Sequence, residues 1–420
     1  MKFNQEYWVT ELPKPLTYIP IIELAIPGSH DSFSYTITPY SKIGPDASRL
    51  VKYLNLMFGP IMRRFVYKWS ITQTCNIQHQ LCLGIRYFDL RMATKINDTN
   101  FYTVHALYGD PVMKELINIK TFLMSHTKEI LILDFQHFYQ FSKADHNRLL
   151  TILKSLFHNM ICPKTYPVEK LNLNIMRTNS WQMIIIYRHN IQDDMFWPSS
   201  YWPTPWPQTT TYKYLIQFLE SGLKQRKPNT GYVTQCLFTP DVKFILRYFY
   251  LNLQTCCLPL NNLIPKWIIN QKSGNKHGVN VIIADFINMN GFNFCDIVIQ
   301  LNYKHLITKK NCLNSVFGMT LTEHALELID DDSVFLIQCH ERRIIQIVGS
   351  RGDIYTIMET VNFCTCDFFK YQVLTDKSLC CKHFLAAKVA LILKSFKVKS
   401  ETPGSLTSIM ISAYGNQEFD

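Results

Sequence analysis

Nowhere in the 420 residues do 18 apolar residues run together without a polar break, which excludes a membrane-spanning helix of ordinary length. The opening MKFNQEYWVTELPKPL lacks the apolar core of a secretory signal, so a soluble, cytoplasmic protein is expected, with the nucleus also open. Asn97, in an NDT sequon, is accordingly read as unmodified. No disulfide framework is expected either. Thirteen cysteines are an odd number, scattered except near the C-terminus, and suit a reducing compartment. Long basic runs are missing too, although 43 Lys and Arg against 32 Asp and Glu leave a formal charge of +11. That balance favours an anionic partner, whether phosphoinositide headgroup, acidic membrane surface or nucleic acid, without choosing among them.

Apolar residues make up 47% and charged residues 18%, enough for a large core. Short apolar runs recur at 18–26 (YIPIIELAI), 84–92 (GIRYFDLRM), 101–107 (FYTVHAL), 129–135 (EILILDF), 181–188 (WQMIIIYR), 232–238 (YVTQCLF) and 279–287 (VNVIIADFI). Several are too continuous for a half-exposed sheet, and helix-length segments separate them. This is the pattern of βα repeats. The expected fold class is α/β, a distorted TIM (β/α) barrel over residues 1–308, followed by a small α+β domain over 309–420. Between them KHLITKKN reads as a polar, basic linker. TLTEHALELI then reads as a helix with a capping box from Thr320 to Glu323, and SVFLIQC, RIIQIVGS and IYTIME read as a meander. The apolar spacing of CKHFLAAKVALILKSF predicts a helix.

Barrel enzymes carry their chemistry where strands end. Here the runs end on His30 and Asp31, on Asp89 and Arg91, on His105, on Asp134, on Arg188 and on Asp285. The strand period of two puts Asp89 and Arg91 on one face and Arg86, read as structural, on the other. Any one of these residues alone has an ordinary explanation, as a helix cap, a loop hydrogen bond or a structural ion pair. Gathered in one mouth they are costly unless they do chemistry. Two histidines with carboxylate partners and an arginine suit a phosphodiester: one imidazole takes a proton, the other returns one, and the guanidinium holds phosphate oxygens.

The stretches IPGSHDSFSY, WSITQTCNIQHQLCLGIRYFDLR, FYTVHALYG, EILILDFQHFY and WPSSYWPTPWPQT, in this order, resemble the phosphatidylinositol-specific phospholipase C X-domain-containing family over about residues 6 to 302. The resemblance implies a distorted TIM barrel that cleaves a phosphoinositide-type phosphodiester. It implies His30 as general base, His105 as general acid supported by Asp31, and Arg91 as the phosphate-binding arginine, with Asp89 in the matching DLR motif. Asp285 is a candidate to orient His30, and Arg188 and Asp134 are candidate headgroup contacts. Asp31 and Arg91 stand where calcium-dependent relatives carry an Asn and a calcium-binding acid, so catalysis is expected without calcium. A metal-dependent glycerophosphodiesterase fits less well, because Arg91 would repel the cation. The loop WPSSYWPTPWPQ reads as a rigid element packed on the barrel rim, as a membrane contact through interfacial aromatics, or as both.

Near the C-terminus, Cys364, Cys366, Cys381 and His383 form a C-x-C then C-x-H arrangement suited to a structural Zn²⁺, with Cys380 as an alternative to Cys381. Residues 316 to 396 resemble the SWIM zinc-finger domain of Shu-type recombination complexes. This implies a binding module for a RecA-like recombinase paralogue, and leaves direct DNA contact open. The first reading is a phospholipase C-type phosphodiesterase with a zinc module; the alternative is a recombination interaction protein with an inactive barrel.

Overall fold

The computed structural model describes residues 4–274, 276–289, 291–340, 342–358, 362–375, 378–393 and 395–414. The chain divides into two compact units, one of Met1–Leu12 with Ile19–His305 and one of Pro13–Tyr18 with Leu306–Asp420. Among the described residues no helix is long and apolar enough to cross a membrane.

The first unit is built on β1 (Ile26–Ser29), β2 (Tyr87–Ala93), β3 (Tyr102–His105), β4 (Leu107–Pro111), β5 (Leu131–Tyr139), β6 (Met183–Tyr187), β7 (Val233–Cys236) and β8 (Val281–Ala284). Six of these are parallel staves in the order β7-β8-β1-β2-β5-β6. Helices cover their outer faces, so β6 and β8 are apolar and buried throughout. Strand β1 is shorter and later than the apolar run suggests, because Ile21–Glu23 forms a single helical turn. Gly28 within it has a steric reason: a Cβ there would stand 2.8 Å from Ile283 Cγ2 and 2.9 Å from Tyr87 Cδ1.

The run at 101–107 is not a stave. Strand β3 lies antiparallel to β2, and β4 turns back on β3. Residues 94–101 are too few for the helical crossover that a parallel strand requires, so the chain can only return as a hairpin. A second departure closes the barrel. Among the described residues β6 and β7 share no ladder, and the Trp-Pro loop fills the gap. Tyr187 donates its backbone N–H to Trp197 O at 2.9 Å, and Trp197 donates to Ile185 O at 2.8 Å. On the other side Gly231 donates to Tyr201 O at 2.8 Å and Val233 to Pro203 O at 2.9 Å. Trp197 and Trp202 are fully buried. The loop is therefore wall as well as rim.

The second unit holds β9 (Val334–Cys339), β10 (Arg342–Val348), β11 (Ile354–Met358), β12 (Phe363–Cys364) and β13 (Lys397–Ser400), in the order β12-β11-β10-β9-β13. Neighbours are antiparallel except β13, which runs parallel to β9. Helices Met319–Asp330 and Lys382–Leu393 pack Ala325, Ile329, Leu385, Ala386 and Ala390 into one core with Ile345, Ile347 and Ile357. Two local expectations fail. KHLITKKN lies inside a continuous helix, Phe294–Phe317, since no Gly or Pro interrupts that stretch until Gly318. The capping box from Thr320 to Glu323 is not formed: Gly318, at φ 83°, is the N-cap and the helix starts at Met319. A left-handed glycine stops one helix and starts the next a residue early.

Candidate active site

Strand β1 ends at Ser29, and the chain then turns through Asp31 at φ 42°, a left-handed conformation costly for a residue with a Cβ. The turn points His30 and Asp31 into the mouth, where both are buried. His30 Nδ1 lies 2.7 Å from Asp285 Oδ1, at the end of β8. A carboxylate there requires Nδ1 to carry the proton, so Nε2 presents its lone pair. Arg91 donates to that Nε2 from Nη2 at 2.8 Å. The base-competent tautomer is thus fixed by partners on two other strands.

Opposite stands His105, its ring centroid 6.4 Å from that of His30. Its Nδ1 faces two acceptors, Asp31 Oδ2 at 3.0 Å and Ser70 O at 2.7 Å, and so must hold a proton. Its Nε2 is left for a ligand. Asp89 accepts the backbone N–H of Asp31 at 3.2 Å and lies 3.6 Å from Arg91 Nη2, as the period of two requires. A bulge in the ladder with β5 between Leu90 and Arg91 is absorbed by the partner strand. Arg91 Nε and Asp89 Oδ1 are buried without a hydrogen-bond partner. Burial pushes the Asp31 carboxyl up, against the pull of His105 and Arg91. Burial opposes the Arg91 charge as well, yet Asp89 and Asp31 hold its guanidinium above the ordinary arginine value.

Asp134 and Arg188 pair with each other. Arg188 donates to the two Asp134 oxygens at 2.8 and 2.6 Å and to Trp202 O at 2.7 Å, while Tyr87 donates its hydroxyl to Asp134 at 2.5 Å. Burial raises the Asp134 carboxyl, and Arg188 offsets part of that rise.

Neutral side chains that sequence reasoning passed over complete the mouth. Gln73 donates to His30 O at 3.1 Å and to Ala284 O at 2.9 Å, tying the ends of β1 and β8 together. Trp206 sets its ring centroid 5.4 Å from that of His30 and 5.5 Å from Arg91 Cζ, a cation–π distance. The third Trp-Pro pair was the available signal for Trp206. Gln73 offered none beyond its place in the TQTC stretch.

In the second unit the donor atoms of Cys364, Cys366, Cys381 and His383 lie within 4.8 Å of one another, all buried. The backbone N–H groups of Phe369 and Phe384 donate to the sulfurs of Cys366 and Cys381, both at 3.3 Å. His383 Nδ1 is buried without a partner, and its ring stacks on Tyr355 at 3.8 Å. Hydrogen bonds among the sulfurs split the three thiols, driving Cys366 down and Cys364 and Cys381 up. The cluster can hold a metal ion. Cys380, also buried, is not part of it.

No family model matches the chain. It is 34% identical over 302 residues to PI-PLC X domain-containing protein 3 of Homo sapiens, covering 70% of this chain and 93% of that protein. To PI-PLC X domain-containing protein 2 of Mus musculus it is 38% identical over 301 residues, covering 70% and 87%. Among solved structures, a phosphatidylinositol-specific phospholipase C of S. aureus superposes with a TM-score of 0.50 at 16% identity, over 71% of this chain and 97% of that one. That likeness supports the barrel fold, and the sequence relatives fix the family. The chain belongs to the PI-PLC X domain-containing proteins.

Proposed function

We propose that the barrel is a phospholipase C-type phosphodiesterase acting on a phosphoinositide-type lipid. One observation carries this reading: Asp285, His30 and Arg91 stand in line, and the His105 ring, with Asp31 beside its Nδ1, lies 6.4 Å from that of His30. A phosphate seated on Arg91 would take the guanidinium edge from His30 and free Nε2. His30 then removes the proton from an attacking hydroxyl of the headgroup, and Asp285 stabilises the imidazolium formed. Charge gathering on the phosphate oxygens is met by Arg91. His105, held by Asp31, gives its Nε2 proton to the departing diacylglycerol oxygen. With an inositol 2-hydroxyl as nucleophile the product is a cyclic phosphodiester. A fixed guanidinium supplies the positive charge that calcium supplies elsewhere, so the reaction proceeds without that ion.

The rim suits a lipid surface. Helix Arg49–Ser70, which follows β1, exposes Leu56 and Ile61 at 83% and 73% and carries Arg49, Lys52, Arg63, Arg64 and Lys68 with no acidic residue. The segment after β7 exposes Val242, Leu246, Phe249 and Tyr250 beside Lys243 and Arg247. The two pack together, with the Trp69 and Phe244 rings 6.4 Å apart. Exposed apolar side chains among basic ones fit the interface of an anionic bilayer. The Trp-Pro loop contributes less: Trp197 and Trp202 are buried, and Trp206 lies against His30 and Arg91.

In the second unit, three sulfurs and one imidazole are a donor set that Zn²⁺ takes, and a tetrahedral ion bound at about 2.3 Å would set the sulfurs about 3.8 Å apart. The donor atoms of Cys364, Cys366, Cys381 and His383 lie within 4.8 Å of one another, close enough to share one ion, and a zinc ion there would act as a structural cross-link. The test of the whole reading is turnover of phosphatidylinositol vesicles in excess chelator, with His30→Ala as control. Cyclic inositol phosphate formed by the wild type alone supports it, and its absence from the wild type refutes it.

A further inference from the structure

Asp285 is held from a direction that the reaction itself does not require. Its Oδ1 takes the His30 proton contact, while its Oδ2 accepts from the thiol of Cys257 at 3.7 Å. Cys257 is fully buried on helix Leu253–Ile269. One turn further along the same helix, Asn261 donates to the Asp285 backbone carbonyl at 3.2 Å. The next residue, Phe286, is buried with φ 51° and donates its N–H to Thr72 O at 2.7 Å. Carboxylate, carbonyl and following peptide are therefore each fixed by a different group, and two of those groups lie on one helix.

We infer that Cys257 is a positioning residue for the Asp285–His30 pair, its thiol setting how much negative charge Asp285 presents to the imidazole. This rests on the phosphodiesterase reading above for its effect on turnover, but not for its effect on His30. A buried carboxylate needs donors on both oxygens. A thiol is the weakest donor of suitable size, so it orients Oδ2 while leaving the anion basic. Burial, and then the Asp285 charge, push the Cys257 thiol well up, so it stays a donor across the working pH range. A hydroxyl in its place would draw charge from Oδ1; no donor at all would leave that charge larger and the imidazolium better stabilised.

The charged and titratable groups facing His30 are Asp285, Asp89 and Arg91, with His105 and Asp31 across the mouth. Those facing Asp285 are His30 and Cys257, with Cys256 beside the latter. Of the groups in contact with the Asp285 carboxylate, Cys257 can be altered without touching one proposed to meet substrate. Trp206 supplies the readout, since an imidazolium quenches an indole in contact with it; the part of the emission lost in Trp206→Phe is the signal. In Cys257→Ala and in the volume-keeping Cys257→Val, the midpoint of that quenching should rise by about 0.5 pH unit or more, with the acid limb of kcat/KM moving alongside and KM unchanged. A wild-type midpoint in the folded Val variant overturns the assignment. If the wild type hydrolyses no lipid, the reading of the previous section fails, while the emission titration still decides this one.

Discussion

Two arginines five positions apart, Arg86 just before β2 and Arg91 within it, show how differently the two ends of the barrel use charge. At the closed end Arg86 is fully buried, and all its donors are spent: Nε and Nη2 on Glu129 at 2.8 Å, Nη1 on Leu81 O and Ile85 O, and Nη2 also on Glu6 O. At the mouth Arg91 touches His30 and Asp89 but keeps Nε without a partner, and Asp89 keeps Oδ1 likewise. The first arrangement is complete without a ligand; the second is not. Orphaned buried polar atoms cost stability, so a mouth that keeps them asks for an explanation that the closed end does not.

The comparison breaks most readily at His30. His30→Ala should lower kcat by about 10²–10⁴-fold, well beyond the loss of stability from Asp285 Oδ1 and Arg91 Nη2 each losing a partner. If unfolding shifted as strongly as activity, the mouth would be structural after all. Arg91→Lys should lower kcat by about 10²–10³-fold, because an ammonium cannot reproduce the planar fork toward phosphate. At the other end, Arg86→Met should reverse the pattern. It strands the buried Glu129 charge and should cost about 3–5 kcal/mol in urea denaturation, with turnover per folded molecule unchanged.

Cys366→Ser extends the contrast to the second unit. Zinc content should fall and protease cleavage should appear between β12 and helix Lys382–Leu393, while lipid turnover by the barrel stays at the wild-type rate. The smallest expected effect concerns His146, which burial, and then the His189 charge, hold down to about 4. Its unfolded value lies near 6.5, so the unfolded chain takes up a proton that the folded one refuses. Stability from this group is whole above pH 6.5 and is lost as pH falls toward 4. His146→Phe should flatten that part of the stability curve measured by denaturation at successive pH values.

Much of the mouth is legible in the sequence because its charged residues stand at the ends of apolar runs. His30, Asp31, Asp89, Arg91 and Asp285 are all found that way, and the structure brings them together. His105 is found by the same rule for a different reason: its strand runs against β2, and only the shortness of residues 94–101 betrays it. Gln73, Trp206 and Cys257 are illegible because neutral side chains gain their roles from neighbours distant in the chain. The cysteine cluster is easier, since its four members lie within residues 364–383 and local spacing alone places them. Local patterns also mislead, as Gly318 shows: a T-x-x-E motif predicts a cap that a preceding left-handed glycine makes unnecessary.

The central claim is that the mouth is an incomplete charge network awaiting a phosphodiester. Following phosphorus NMR of phosphatidylinositol vesicles with purified protein in excess EGTA tests it most directly. The account predicts a resonance of cyclic inositol phosphate that grows with time and is missing with Arg91→Lys and His30→Ala. An unchanged spectrum, or turnover that appears only when calcium is added back, would contradict it.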